Sequence, residues 1–421
     1  MATVSVTLCS SIVARPQYVL TAAMELPAPR RRPAPTRARV TGGFAAGRRL
    51  TLSGDAQALR RGSAAPAPED RFQSLGGRVR NSLVVLGIAG LSLGLGPTAA
   101  QAKSTAAPLR LIATIPLPHV RGRIDHFSVD VPGRRLFISA LGNHTVEVVD
   151  IRANKWLRAV SGVKQPQGEY YVARLHKLFT ADGLGGAVRV YRVYRGGALR
   201  LLSAVKLALG PDAEAYDPVT HLLYVGYGGG AAGKDYGEVG IINAVTDRHI
   251  GDIRTRAHPG TILVARPGRT LFITVPKTHQ IAQIDARTGR IAAVWLAKTG
   301  IPVSLALDRR HHRLFVGMRG PAGIEVFDSR THQFIASLPS VGLMDGLFYD
   351  SVHHRIYASG GAGYVAVYRQ LRPDHYVEIA RIPTGPIART SLWVRRLDRY
   401  YVAVPASGGR GARILVFQPA P

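Results

Sequence analysis

The chain has 421 residues, 46% of them hydrophobic, and a formal net charge of +29. That length and apolar content suffice for one or two packed domains. The single cysteine, Cys9, excludes an intramolecular disulfide and any cysteine-based zinc or iron–sulfur site.

The charge is not confined to a tail. Residues 1–102 hold 13 Arg, no Lys and 4 acidic residues, and the remainder still carries +20. Such a surface attracts polyanions such as nucleic acid, anionic lipid or acidic polysaccharide. The basic residues are dispersed, which equally fits general solubility in a polyanion-rich compartment.

Residues 1–78 are rich in Ala, Arg and Pro, as in PAPRRRPAPTRARV, and show no period of 2 or 3.6. Proline at this density blocks helix and ladder pairing, so a disordered extension is expected there. Residues 79–102 have the three-part layout of a secretory signal. Arg78 and Arg80 flank its start, Ser82 to Leu95 is uncharged and apolar, and Ala100-Gln101-Ala102 precedes a cleavage position before Lys103. The apolar run is short for a membrane-spanning helix, so no stable span is expected in the mature chain. An uncleaved anchor is the alternative. The preferred explanation for the signal's displacement is a start assigned too far upstream. A bipartite presequence leading to an organellar lumen is the second explanation. Gly90-Leu91-Ser92-Leu93-Gly94 matches the G-x-S-x-G elbow of hydrolases, but that motif needs a strand before it and a helix after it, not an apolar run.

Beyond residue 103 a phrase recurs, in which an apolar strand and a polar turn precede a strand with a central aromatic. The aromatics are Phe137, Phe179, Tyr224, Phe272, Phe315, Tyr357 and Tyr401, spaced 42 to 48 residues apart. A period in the forties built of short strands marks a β-propeller. Each unit reads as four strands. Asp130, Asp217, Asp308 and Asp350 open the first turn, and Asp150, Asn243, Asp285 and Asp328 close the third strand. No helix is expected. The last unit stops short while Leu109 to Ile115 forms an orphan strand, so this strand should close the ring as the outer strand of the last blade. The expectation is an all-β, seven-bladed propeller of four-stranded antiparallel blades over 103–421, and a monomer.

The repeat accounts for other motifs too. His311-His312 and His353-His354 fall at one offset in successive units, so they read as turn residues. Gly228, Gly230 and Gly233 fit G-x-G-x-x-G but precede a strand, which argues for a loop and against a pyrophosphate site. Asn143-His144-Thr145 is a glycosylation sequon, meaningful only in a glycosylating host.

Segments leading into the innermost strands should ring one mouth of the central channel. They gather Asp125, His126, Glu169, Asp212, Glu214, His258, Asp345 and Arg389. These are the candidate ligand-binding residues, forming a small polar pocket or a site for Ca2+ or another divalent cation with oxygen ligands. Propeller channels are also wet and polar in general. No catalytic set and no specific metal ligand is identifiable, and no cofactor is required.

The phrases IDHFSVD, RRLFISALGNHTVEVVD, QPQGEYY, YDPVTHLLYVGYGGG, HRLFVGMR, GLFYDSVHHRIYASGG and ARTSLWV resemble the YncE-like proteins of the YVTN β-propeller superfamily over about residues 109–418. The resemblance implies a seven-bladed propeller exported to the bacterial periplasm, in a family whose roles are mostly unassigned and whose namesake is described as binding single-stranded DNA. Related superfamilies include lactonases and regucalcin-type hydrolases that hold a divalent metal in the channel. The chain departs from its relatives at Gly260 and at Gly342-Leu343-Met344, which thins the acidic ring. The resulting expectation is a periplasmic or secreted binding protein whose partner is a small molecule or a protein. A metal-dependent lactonase-like hydrolase and a polyanion or single-stranded DNA binder are the alternatives.

Overall fold

The computed structural model describes residues 107–420. The extension expected over 1–78 and the secretory signal expected over 79–102 lie outside the described residues. The described chain forms seven four-stranded antiparallel sheets. In the first blade the strands are Phe127–Asp130, Arg135–Ala140, Thr145–Asp150 and Lys155–Val160, hydrogen-bonded in chain order. Blades two to six repeat this order over 166–206, 214–255, 262–296, 301–339 and 344–383. Among the described residues the only helical turns are 3-10 segments of three or four residues.

The seventh blade confirms the expected closure. It holds Ser391–Val394, Arg399–Val404 and Arg413–Pro419, and Leu109–Pro116 is its outermost strand. Ile115 pairs with Ile414 and Leu111 with Phe417. This pairing covers the backbone edge of Arg413–Pro419, which would otherwise template a foreign strand.

The repeated aromatics explain why the blades adhere. Phe137 of blade one packs on Tyr171 of blade two at 5.4 Å between ring centroids, and Phe315 of blade five on Tyr349 of blade six at 5.4 Å. Each of the seven aromatics lies in a cluster shared with the next blade, and Tyr401 completes the circle against Leu136 and Ile138. All seven are at most 2% exposed. Burial of such a side chain stabilises by roughly 1.5–3 kcal/mol, so the period of the sequence is the period of inter-blade adhesion.

Turn chemistry is equally regular. Asp217 Oδ1 accepts the amides of Val219 and Thr220, and Asp350 Oδ1 those of Val352 and His353. Asp150, Asn243, Asp285 and Asp328 do the same after the third strand. Four histidines hold the left-handed position before the second strand: His176, His221, His312 and His354, with φ between 50° and 60°. Tyr216 Oη lies 2.9 Å from His221 Nδ1, so the ring also anchors its turn. His311 and His353 place Nδ1 2.6 Å from Asp308 and Asp350 in the same turns.

Candidate functional site

Inner strands follow one another around the ring, and the segments leading into them converge at one mouth of the channel. The first such segment is stitched to its own blade, with Asp125 N donating to Ser139 O at 2.7 Å and Ser139 N to His126 O at 3.0 Å. Thr390 Oγ1 of the last blade donates to Ile124 O at 3.3 Å, joining the two ends of the ring. These bonds fix the positions of Asp125 and His126.

Asp125 is 1% exposed and ion-pairs with Arg123 at 2.8 Å, with His126 Nε2 3.8 Å away. Burial raises its pKa above the usual carboxylate range. His126 and Arg123 oppose this, and Asp212 and Asp345 reinforce it. Asp212 lies 3.7 Å from His258 Nε2, and the His258 ring is oriented by a 3.3 Å contact from Nδ1 to Gly228 O. Burial works to raise Asp212, but His258, His126 and Arg123 together hold it below the usual range. The approach of this segment to blade two requires Gly168, where a Cβ would lie 2.1 Å from Asp212 O.

Across the mouth, Asp345 lies between two guanidiniums. Arg319 Nη2 donates to Oδ1 at 2.7 Å, and Arg389 Nε lies 3.0 Å from Oδ2. Arg319 also donates from Nε to Met344 O at 2.7 Å. Burial lowers the pKa of Arg389; Asp345 opposes this, while Arg123 and Arg319 act in the same direction as burial. Three arginines and two aspartates, Asp125 and Asp345, thus share one side of the mouth.

The structure does not bring the remaining two carboxylates to this group. Glu169 is sealed in the wall, with Ser139 Oγ donating to Oε1 and Thr180 Oγ1 to Oε2, both at 3.0 Å. Burial pushes it up to about 8 against the pull of both hydroxyls. Glu214, the first residue of its inner strand, lines a cavity of about 350 Å3 with Tyr170, Tyr216, Pro218, Pro267 and Arg309. Its carboxyl oxygens have no hydrogen-bond partner among the described residues. Burial, with Glu169 and Asp212 nearby, raises its pKa well above the usual range. Among the described residues no three His, Cys, Asp or Glu side chains are grouped to hold a metal ion. Asp125 and Asp345 are matched with arginine instead, and Asp212 with His258.

Sequence reasoning missed Arg123, Arg319, Leu343 and Ile387. Arg123 had a signal, because residues two apart in an extended segment share a face, and Asp125 was already a candidate. Arg319 ends a second strand, outside the segments aligned as channel-leading. Leu343 and Ile387 sit at the rim, 52% and 46% exposed, at φ 54° and 58°. This conformation is unfavourable for a bulky side chain, above all for a β-branched one, and costs on the order of 1–2 kcal/mol each.

The fold and mouth define a closed seven-bladed propeller with an arginine- and aspartate-lined channel opening. No protein-family model matches the sequence, and no curated protein is significantly similar to it. The chain is similar in structure to hydrazine synthase of Kuenenia stuttgartiensis, with a TM-score of 0.60 and 16% identity, covering 72% of this chain and 98% of that one. It is also similar to a chain of the mitotic checkpoint complex, with a TM-score of 0.61 and 10% identity, covering 81% and 100%. At these identities the likeness is one of fold alone.

Proposed function

We propose that this chain is a YncE-like protein of the YVTN superfamily, exported to the periplasm, that binds a small polar ligand at the channel mouth. The observation that carries this reading is the facing set of Arg123, Arg319 and Arg389 with Asp125, Asp212 and Asp345, held on five different blades. Opposed charges on partly buried side chains orient a polar ligand, and a low local dielectric strengthens each contact. The buried Nε–H groups of Arg123 and Arg389 have no aligned acceptor among the described residues, and the oxygens of Asp125 have no aligned donor. A thermal-shift panel of small carboxylates, amines, sugars and nucleotides tests the reading. Ligands that stabilise the wild type but not Arg389→Gln support it, and a panel in which no shift depends on Arg389 overturns it. For export, the first residue of the mature protein should be Lys103.

One observation favours a second reading, polyanion binding on the opposite face. The turns there carry exposed Arg134, Arg174, Arg266, Arg309, Arg330 and Arg396. A groove of about 660 Å3 between blades four and five is lined by three of them and by Phe272. Affinity for single-stranded DNA that falls steeply with salt supports this reading. The hydrolase alternative has no comparable observation behind it, because Asp125 and Asp345 face arginines and Asp212 faces His258.

A further inference from the structure

The mouth contains two buried guanidinium N–H groups with no well-aligned acceptor of the protein's own. Arg123 pairs with Asp125 at 2.8 Å and Arg389 with Asp345 at 3.0 Å. Yet the buried Nε–H of each has no aligned hydrogen-bond acceptor among the described residues. Arg389 is only 18% exposed and feels both Arg123 and Arg319 as like charges. Three guanidiniums face three aspartates at the mouth, Asp125, Asp212 and Asp345, so what stands out at this corner is the alignment of the donors, not a surplus of charge. A ligand carboxylate would supply aligned acceptors to these Nε–H groups.

The same corner has an apolar rim that the fold does not need. Leu343 and Ile387 immediately precede Met344-Asp345 and Ala388-Arg389 in sequence, so each charged residue has an exposed apolar neighbour on its own loop. Both are held in the left-handed conformation. Gly361 ties the two loops together, donating its N–H to Leu343 O at 3.1 Å and accepting from Ile387 N at 2.9 Å. A Cβ at position 361 would lie 3.0 Å from Leu343 Cβ, so the glycine is what lets Leu343 lie over this turn. Two bulky residues are therefore exposed in a conformation that glycine would adopt without strain, beside an arginine pair whose Nε–H groups have no aligned acceptor.

We propose that this corner binds a carboxylate carried on a short apolar chain, with its head against Arg123 and Arg389 and its chain against Leu343 and Ile387. The proposal rests on the channel-mouth reading above and names its ligand class. A bare oxyanion such as phosphate would use the arginines and leave the rim exposed. An alcohol of equal chain length would do the reverse.

Isothermal titration of the full chain with octanoate, acetate, octan-1-ol and inorganic phosphate tests it. Octanoate should bind at least tenfold more tightly than the other three. Arg389→Gln should weaken octanoate at least tenfold. Leu343→Gly, which suits the positive φ and so keeps the fold, should weaken octanoate several-fold and leave acetate unchanged. Absence of octanoate binding, or equal binding to both variants, overturns the proposal. If octanoate fails while another compound of the wider panel binds in an Arg389-dependent way, the channel-mouth reading survives without this ligand class. If nothing depends on Arg389, both fall.

Discussion

Ser139, on the second strand of blade one, donates its hydroxyl across the blade boundary to Glu169 at the head of blade two, 3.0 Å away. Thr180 holds the other oxygen, and the carboxyl is 5% exposed. Burial raises its pKa from 4.5 to about 8, so the folded protein keeps a proton that the unfolded chain releases near 4.5. An acid raised in the folded state stabilises least at high pH. Its contribution is unpenalised below about 4.5 and worsens until pH passes about 8, by a few kcal/mol at most. The melting temperature should therefore fall between pH 5.5 and 8.5. Glu169→Gln should flatten that slope without abolishing it, since Glu214 is raised as well. An identical slope in the variant would contradict the assignment of Glu169 as a buried neutral acid.

Ring closure depends on Ile115, which is fully buried opposite Ile414, while Ile112 on the same strand is 38% exposed. Ile115→Ala should cost about 2–5 kcal/mol, as for other large-to-small core changes. Ile112→Ala should cost less than about 1 kcal/mol. Chemical denaturation of both variants checks the contrast, and equal losses would mean that the closing strand is not held by its inward face.

The inter-blade aromatics make a parallel prediction. Phe315 is fully buried against Tyr349, and Phe334 on the outer strand of the same blade is 40% exposed. Phe315→Ala should cost about 3–5 kcal/mol. Phe334→Ala should cost clearly less in the same denaturation experiment. A larger loss at Phe334 would displace the blade interface as the main source of stability.

Gly361 connects fold to site. Alanine there would meet Leu343 Cβ at 3.0 Å and its Cδ1 at 3.1 Å, with no backbone penalty at position 361 itself. Overpacking of this kind costs about 1–3 kcal/mol where neighbours cannot move, and less where they can. Leu343 is exposed, so the expected outcome is a small stability change together with weakened ligand affinity at the mouth. Unchanged affinity would separate the Leu343 loop from the site.

The fold was legible because two independent signals repeated in phase. The aromatics mark every blade interface, and the aspartates mark the turns they cap, so one alignment located all seven units. The closing strand followed from an unpaired remainder at each end. The site was legible only in part. Asp125, Asp212, His258, Asp345 and Arg389 lie in segments that the repeat aligns, so the sequence brought them to one mouth. Glu169 and Glu214 align equally well, but their environments are set by side chains on neighbouring blades and by depth along the channel. Arg319 reaches the mouth from the end of a second strand. The exposed, left-handed Leu343 and Ile387 contradict the preferences of their own residue types, which is why residue type alone could not have found them.

The most direct measurement takes the tightest ligand from the thermal-shift panel and titrates it calorimetrically into wild type, Arg389→Gln and Arg309→Gln, the last altering an arginine on the opposite face. Loss of at least tenfold in affinity with Arg389→Gln and no change with Arg309→Gln is the expected result. Affinity unchanged in Arg389→Gln, or lost instead in Arg309→Gln, would contradict the assignment of the channel mouth as the binding site.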